Sequence, residues 1–152
     1  MAPKVGHQAP DFELEGTSGS FRLSEHRGER VVLLFYPGDN TAVCTKQFCS
    51  YRDNPEDFAA LDATVVGISA QSLKSHEEFT AKHGLTVPLL ADPDSEVAKL
   101  YGAWMRVRGA KRAVVIVDEQ GRVAYRHDHK LGFDFQDTGE LREALDTLAY
   151  AG

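Results

Sequence analysis

The chain is poor in cysteine and has no long hydrophobic segment. Only two of its 152 residues are cysteines, Cys44 and Cys49. A chain of this length buries about two thirds of its unfolded surface without cross-links, so neither cysteine is needed as a structural staple. No segment approaches the roughly 18 consecutive apolar residues of a membrane span, and residues 1–7 contain no apolar run. We therefore expect one domain over residues 1–152, no membrane partner and a cytoplasmic location. In that compartment a close cysteine pair is more often catalytic or metal-binding than structural.

Long basic segments are absent as well. The formal net charge is −6, and acidic and basic residues are mixed along the chain. The densest basic stretch is Gly109–Arg112, with Arg106 and Arg108 just before it. Because nucleic-acid binding depends on a clustered basic surface, this balance disfavours a nucleic-acid partner.

What the chain does have is an alternation of strand-like and helix-like segments. Asp11–Glu15 and Ser20–Ser24 alternate in polarity around a Gly-rich turn, which predicts an N-terminal β-hairpin. The run Val31–Tyr36 is apolar throughout and suits a central strand that is covered on both faces. We predict one α/β domain with a central mixed β-sheet flanked by helices. The other predicted strands are Thr64–Ser69, Val87–Leu90, Ala113–Val117 and Gly121–Tyr125.

Four helices are predicted among these strands. The first runs from Thr41 to about Arg52 and carries Cys44, Phe48 and Tyr51 on one apolar stripe. The other three are a helix with a capping box of Ser75 and Glu78 that ends at Gly84, a helix after Asp92-Pro93 that carries Val97, Leu100 and Tyr101 and ends at Gly102, and a last helix from about Thr138 that presents Leu141, Leu145 and Leu148.

Both cysteines follow the end of the central strand. That strand ends at Pro37-Gly38, and Thr41 stands three residues before Cys44, which places the Cys44 thiol at a helix N-terminus. The helix dipole and the free backbone N–H groups favour an anion there. We therefore expect Cys44 to ionise more readily than an ordinary thiol.

Four interpretations of the cysteine pair are open at this point. The cysteines could be small buried hydrophobic residues, or they could bind zinc together with His127 and His129. They could form a thioredoxin-type exchanger, although that requires a C-x-x-C spacing which this chain lacks. They could also be a peroxidatic thiol and its resolving thiol. Zinc is disfavoured because side chains five residues apart point about 140° away from each other around a helix.

The five-residue spacing has a mechanical consequence. In an intact helix, Cα atoms five residues apart are about 8.7 Å from each other, whereas a disulfide requires Cα atoms within about 7 Å. If Cys44 and Cys49 form a disulfide, the first turns of that helix must unwind.

The residues around Cys44 resemble a known family. Pro37, Thr41 and Cys44 follow the order Pro-x-x-x-Thr-x-x-Cys, preceded by Phe35-Tyr36. This order resembles the active-site signature of the peroxiredoxins. The second cysteine, five residues on, resembles the Q-type subgroup, also called bacterioferritin comigratory protein. The likeness extends over nearly the whole chain, with further matching segments at Gly6–Phe12, at Leu89–Pro93, and at Lys111–Asp118 followed by Gly121.

The resemblance implies a thioredoxin-like fold and a peroxidase that reduces hydrogen peroxide and organic hydroperoxides without a metal or other cofactor. It implies that Cys44 is the peroxidatic residue and that Cys49 resolves its sulfenic acid as an intramolecular disulfide. Thioredoxin or a similar dithiol would then reduce this disulfide. By the same likeness Thr41 orients the substrate, Pro37 shields the pocket, and Arg112 holds the thiolate and peroxide oxygens. The likeness to this subgroup also favours a monomer or a weak dimer.

Several alternatives stay open beside the resemblance. Thr41 is a common helix N-cap, Pro37 is a common strand terminator, and Arg112 could be an ordinary solvated arginine at a strand edge. Gln47 departs from the family pattern, which commonly has Glu there; Gln keeps a carbonyl acceptor for an arginine but removes a negative charge near the thiolate. The alternative function is a redox-sensing binding module, in which the disulfide between the two cysteines remodels a surface that a partner reads.

Overall fold

The computed structural model describes residues 3–39, 42–56, 61, 63–105, 109–110, 112–128 and 141–145. Its strands are β1 (Glu13–Leu14), β2 (Phe21–Arg22), β3 (Val31–Phe35), β4 (Thr64–Ser69), β5 (Leu89–Ala91), β6 (Trp104–Met105), β7 (Gly109–Ala110), β8 (Ala113–Val117) and β9 (Val123–Asp128). Its helices are α1 (Ala42–Asp53), α2 (Leu73–His83) and α3 (Glu96–Leu100), and residues 141–145 are helical as well.

Five strands form a mixed sheet in the order β5-β4-β3-β8-β9. β3, β4 and β5 are parallel, whereas β8 pairs antiparallel with β3 and β9 pairs antiparallel with β8. Every residue of β3 is at most 1% exposed, as an apolar run in a central strand requires. The predicted central strand and mixed sheet are therefore confirmed. The predicted N-terminal hairpin is also present as β1 and β2, but each strand has only two residues because the chain enters a 3-10 turn at Leu23.

Alternate residues of the sheet face two separate cores. On one side, Leu33 and Phe35 of β3 pack with residues of the N-terminal hairpin and α3. On the other side, Leu34 and the following Tyr36 pack with α1, α2 and the helical residues 141–145. The side-chain alternation of a strand thus covers β3 on both faces. Within the described ranges, no helix has the length and apolar character needed to cross a membrane.

The start of α2 differs from the prediction. The hydroxyl of Ser72 accepts a hydrogen bond from the backbone N–H of Ser75 at 3.1 Å, so Ser72 is the N-cap. The predicted capping box of Ser75 and Glu78 is therefore wrong, because Ser75 already lies inside the helix. The predicted end is confirmed, since Gly84 follows α2 with a left-handed backbone, φ 61°.

The short helix α3 also begins later than expected. The N-cap position of α3 is Ser95, so the predicted position of the cap at Asp92 is wrong. The Asp92 carboxylate nevertheless accepts hydrogen bonds from the backbone N–H groups of Val97 at 3.3 Å and Ala98 at 3.0 Å. Pro93 precedes the helix instead of occupying its first turn. Leu100 is 47% exposed, so its predicted place on the apolar stripe is wrong.

The last predicted helix is described only in part. Leu141 and Leu145 are buried against the α1 side of the sheet, as the predicted stripe requires. Thr138 and Leu148 lie outside the described residues.

Candidate active site

The helix that carries both cysteines begins near the carboxyl end of the central strand. α1 runs without interruption from Ala42 to Asp53, so Cys44 lies in its first turn and Cys49 in its second half. Cys49 is a half-buried free thiol. Thr41 lies outside the described residues, and for Cys44 the structure describes the backbone only. The backbone places Cys44 among the first N–H groups of a helix, where an anion is favoured.

Two buried aromatic side chains pack the second half of α1 against the sheet. Phe48 is 1% exposed and Tyr51 is 0% exposed, which confirms these two members of the predicted stripe. The Phe48 ring meets the Tyr36 ring edge to face, with centroids 4.9 Å apart. The approach to the sheet is close because β4 has Gly67 there: a Cβ on Gly67 would lie 3.0 Å from the Phe48 ring.

Sheet register explains how Arg112 reaches α1. Phe35 at the end of β3 pairs with Ala113 at the start of β8. β8 is antiparallel to β3, so its amino end meets the carboxyl end of β3, and Arg112 comes to lie beside Tyr36. Side chains alternate along a strand, so Arg112 faces the same side as Val114, which packs in the core that includes α1.

A buried hydrogen-bond network joins Arg112 to α1. Arg112 is 2% exposed, and its Nη1 donates to Oε1 of Gln47. Gln47 is 1% exposed, and its Nε2 donates to the hydroxyl of Tyr51 at 3.0 Å. The alternative of an ordinary solvated arginine is therefore wrong. Gln47 provides the carbonyl acceptor that was expected of it.

The sequence contains no signal that chooses among the neighbouring arginines. Arg126 donates to the backbone carbonyl of Gly102 at 3.1 Å and pairs with Asp128 at 2.9 Å. Arg106 and Arg108 lie outside the described residues. Arg112 differs from Arg126 because its guanidinium reaches a side chain on the inner face of α1.

Pro37 is exposed at the start of the loop between β3 and α1. The backbone N–H of Tyr36 still donates to the carbonyl of Ile68 at 3.1 Å, so strand pairing continues for one residue beyond β3. The N–H groups of successive strand residues face opposite neighbours, so position 37 would donate towards β8, and Pro37 has no N–H with which to do so. Its role as a strand terminator is therefore supported, and its role as a shield for the pocket stays a prediction.

Cys49 has a charged neighbour that sequence reasoning missed. Arg52 follows it by three residues, which is a spacing that brings side chains together on a helix. A hydrogen bond to Asp53 raises the pKa of the Arg52 guanidinium, and attraction to Cys49 adds to this effect. Nη1 of Arg52 also donates to the carbonyl of His83 at 2.5 Å, which ties α1 to the end of α2.

A second pair of buried polar residues was also missed. Asp39 of the loop before α1 and His76 of α2 have side chains with 0% exposure, and their nearest N and O atoms are 2.6 Å apart. Burial raises the pKa of Asp39, but hydrogen bonds from His76, Tyr36 and Ser75 outweigh it and hold the pKa below its ordinary value. Each residue has an ordinary local setting in the sequence, so only the fold reveals the pair.

The zinc alternative gains no support from the fold. Among the residues that the structure describes, no three or more His, Cys, Asp or Glu side chains are grouped so that they could hold a metal ion. His127 is exposed on β9, and His129 lies outside the described ranges.

Comparison with known proteins identifies the family. The family model described as "AhpC/TSA family" matches residues 5–126. The chain belongs to the AhpC/TSA family. It is 37% identical over 131 residues to "Peroxiredoxin Bcp" of Bacillus subtilis (strain 168), a match that covers 81% of this chain and 83% of that protein. It is 36% identical over 146 residues to "Peroxiredoxin Q, chloroplastic" of Oryza sativa subsp. japonica, covering 94% of this chain and 65% of that protein.

A solved structure agrees with these relatives. The crystal structure of peroxidoxin BcpB from Mycobacterium tuberculosis superposes on this AhpC/TSA chain with a TM-score of 0.82 and 30% sequence identity, covering 99% of each chain. The predicted thioredoxin-like fold and the resemblance to Q-type peroxiredoxins are both confirmed. The roles of the individual site residues stay predictions.

Proposed function

We propose that this chain is a thiol peroxidase that reduces hydrogen peroxide and organic hydroperoxides through Cys44. The buried contact between Arg112 and Gln47 on the helix that bears both cysteines supports this most directly. Arginine is always charged in proteins, and Gln47 is a neutral acceptor, so the contact orients the guanidinium without cancelling its charge. That charge is suited to a thiolate and to the oxygen that leaves a peroxide.

In the first step, the Cys44 thiolate attacks the terminal oxygen of the peroxide. A sulfur–oxygen bond forms, the oxygen–oxygen bond breaks, and the departing oxygen takes a proton to leave as water or an alcohol. Cys44 becomes a sulfenic acid. Donors from Arg112, Thr41 and the backbone N–H groups near Cys44 would stabilise the negative charge on the departing oxygen.

A low thiol pKa is not sufficient for fast attack. It increases the fraction of thiolate, but a less basic thiolate is also a weaker nucleophile. The remaining acceleration must come from groups that bind the transition state more tightly than the substrate. The Arg112 guanidinium, held from one side by Gln47, is well suited to this role.

In the second step, the Cys49 thiol attacks the sulfenic acid, water leaves, and an intramolecular disulfide forms. Because α1 is continuous through both cysteines, their Cα atoms are about 8.7 Å apart, beyond the limit of about 7 Å for a disulfide. Part of α1 must therefore unwind. A dithiol such as thioredoxin would then reduce the disulfide by thiol exchange and restore the helix.

The anchoring of α1 indicates which part unwinds. Unwinding through Phe48 and Tyr51 would expose two fully buried aromatic side chains, at a cost of about 1.5–3 kcal/mol each. It would also break the contact between Gln47 and Arg112. Opening only residues 42–46 avoids these losses, so Cys44 should move towards Cys49. Amides 46–50 donate to the carbonyls of residues 42–46 in the intact helix, so in hydrogen exchange oxidation should deprotect amides 46–50 and leave amides 51–53 protected. Equal loss over both segments would contradict this order.

Intact mass after peroxide treatment tests the proposal. One equivalent of peroxide should remove two hydrogens from the wild-type mass, because a disulfide forms. Cys49→Ser should instead gain one oxygen and stall at the sulfenic acid, and Cys44→Ser should not react. A wild type that gains oxygen without losing two hydrogens would remove Cys49 from the resolving role. Reactivity retained in Cys44→Ser would refute the proposal as a whole.

A turnover assay separates the enzyme from a redox-sensing module. With thioredoxin and its reductase, a peroxidase consumes many equivalents of peroxide per chain. A single slow oxidation that thioredoxin does not reverse would favour the sensor.

A further inference from the structure

The loop that leads into α1 ends in a buried polar network. Oδ1 of Asp39 accepts a hydrogen bond from the Tyr36 hydroxyl at 2.7 Å. Oδ2 accepts from the Ser75 hydroxyl at 2.8 Å and lies 2.6 Å from Nδ1 of His76. On its other side, Nε2 of His76 lies 3.0 Å from the backbone carbonyl oxygen of Leu90. The network therefore joins the end of β3, the first half of α2 and β5.

The Leu90 contact fixes one end of the histidine ring. A backbone carbonyl can only accept, so Nε2 of His76 must carry a proton to bond with Leu90. At the other end, Nδ1 lies 2.6 Å from Oδ2 of Asp39 and 3.3 Å from the Tyr36 hydroxyl. Asp39 and His76 are thus a buried hydrogen-bonded pair with 0% side-chain exposure on both partners.

Stability alone is a poor reason for such a pair. Removing a carboxylate and its polar partner from water is costly, and well-packed apolar residues often stabilise a protein at least as well in the same space. Position is the more informative property here, because Asp39 lies only three residues before Ala42, the first residue of α1. The loop at Asp39 is held a second time, by its backbone N–H, which donates to Oε1 of Gln71.

We propose that the buried Asp39–His76 pair is a positioning device for the peroxidatic site, which holds the loop before α1 in the register that presents Cys44 to its peroxide. This inference rests on the proposed function. Neither residue touches the peroxide in this proposal; they act through the loop. The pair fixes one end of α1 from the α2 side, while Arg112 contacts the helix from the β8 side. Misplacement of a reacting group by about 1 Å costs on the order of 100-fold in rate.

Two variants and their double variant test this with single-turnover kinetics. Asp39→Asn keeps the size of the side chain but removes its charge, and His76→Asn removes the imidazole ring that bonds to Leu90. Each should slow the reaction of Cys44 with hydrogen peroxide by about 10- to 100-fold. The double variant should be no slower than the slower single variant, because the two residues act as one unit. Losses that multiply in the double variant would overturn the proposal.

Asp92→Asn is the matched control. Asp92 is also buried, at 3% exposure, and its carboxylate also accepts hydrogen bonds, from two backbone N–H groups. These groups belong to α3, however, which packs on the other face of the sheet from α2. It should retain the peroxide rate within about twofold. Equal losses in Asp39→Asn and Asp92→Asn would assign Asp39 a general structural role and overturn the proposal.

The rate of disulfide reduction gives a second readout. A general loss of stability would change this rate together with the rate of the peroxide step. Dithiothreitol reduces the preformed disulfide in the open form of α1, where the loop register no longer matters. The rate of this reduction should stay within about twofold of wild type in Asp39→Asn, while the peroxide step slows. A parallel slowing of both steps would argue against positioning.

Nitrogen-15 NMR of the wild-type histidine rings tests the contacts of His76 without any variant. Nε2 of His76 should carry a proton that the bond to the Leu90 carbonyl protects from exchange, and a ring whose Nε2 carries no proton would overturn the proposed pair even if a variant failed to fold. The mass experiment on wild type keeps the two hypotheses separate. If wild type forms the peroxide-dependent disulfide and Asp39→Asn behaves like Asp92→Asn, the proposed function stands and only this inference fails.

Discussion

Gln47 offers the sharpest single test of the candidate active site. Its Oε1 accepts from Arg112, and its Nε2 donates to the Tyr51 hydroxyl at 3.0 Å. Gln47→Leu keeps a side chain of similar volume but removes both contacts. Arg112 would lose an acceptor inside the protein, and the guanidinium would no longer be aligned from the α1 side.

The magnitude follows from the burial of the network. A hydrogen bond from a charged donor contributes about 1.5–3 kcal/mol, and a neutral one contributes about 1 kcal/mol. The leucine recovers about 1 kcal/mol by burying apolar surface where Gln47 is 1% exposed. We therefore expect Gln47→Leu to lower the free energy of unfolding by about 1.5–3 kcal/mol, measured by urea unfolding. The rate of the Cys44 reaction with peroxide should fall by at least about tenfold.

Two further variants make this prediction specific. Gln47→Glu keeps an acceptor for Arg112, and the Tyr51 hydroxyl can turn to donate to the new carboxylate, so this variant should be at least as stable as wild type. Lys46→Leu changes the exposed neighbour on the same helix and should affect neither measurement. If Gln47→Leu retains the wild-type peroxide rate while it loses stability, Gln47 does not align Arg112 for catalysis, and that part of the reasoning is refuted.

Three other predictions concern packing and pH. Gly67→Ala should cost about 1–3 kcal/mol in urea unfolding, because its Cβ would lie 2.8 Å from Leu89 Cδ2 and 3.0 Å from Phe48 Cζ; an unchanged midpoint would contradict this close packing. Burial, and then the charge of Asp11, raise the pKa of Tyr101, so the protein should lose stability as the pH rises above about 10, where the unfolded chain releases this proton. Tyr101→Phe should flatten that alkaline loss in thermal unfolding, and an identical loss in the variant would assign it to other groups. Because the pKa of Asp39 is held below its ordinary value, the stability that its carboxylate contributes should be present above about pH 4 and lost as the pH falls through the folded-state pKa. Asp39→Asn should reduce this acid loss, and an unchanged acid limb would contradict the ionised state of Asp39.

The inner strands β3 and β4 were predictable because their determinants are local, whereas β6 and β7 were not predicted, β5 was predicted two residues early and β9 was predicted to span Gly121–Tyr125. The run Val31–Phe35 is apolar at every position, and a short run of this kind is typical of a central strand that is buried on both faces. Thr64–Ser69 was predicted with its observed bounds for the same reason. Helix starts were less predictable, since Ser72 and Ser75 are both good caps and lie one turn apart. The choice of Ser72 depends on where the chain leaves β4, which a local pattern does not contain.

The position of Arg112 depends on register, and register is not local. The sequence shows several arginines near one strand, and each could be solvated. Pairing of Phe35 with Ala113 decides the matter, because it brings the residue before β8 to the carboxyl end of β3 and onto the α1 side. A shift of one residue in this pairing would turn the side chain at position 112 to the other face of the sheet. The candidate site is therefore a consequence of the β3–β8 register as much as of the motif around Cys44.

The parallel arrangement of three strands explains how the residues of the Asp39–His76 network come together. β3, β4 and β5 are parallel, so the segments that follow their carboxyl ends meet at one edge of the sheet. Asp39 follows β3, His76 lies in the helix after β4, and β5 itself supplies the carbonyl of Leu90. Each of the three neighbouring strands thus contributes to one buried network, although Asp39 and His76 are 37 residues apart. The motif around Cys44 marks the candidate thiol in the sequence. Asp39 and His76, by contrast, can be related to it only once the parallel arrangement of the strands that precede them is known.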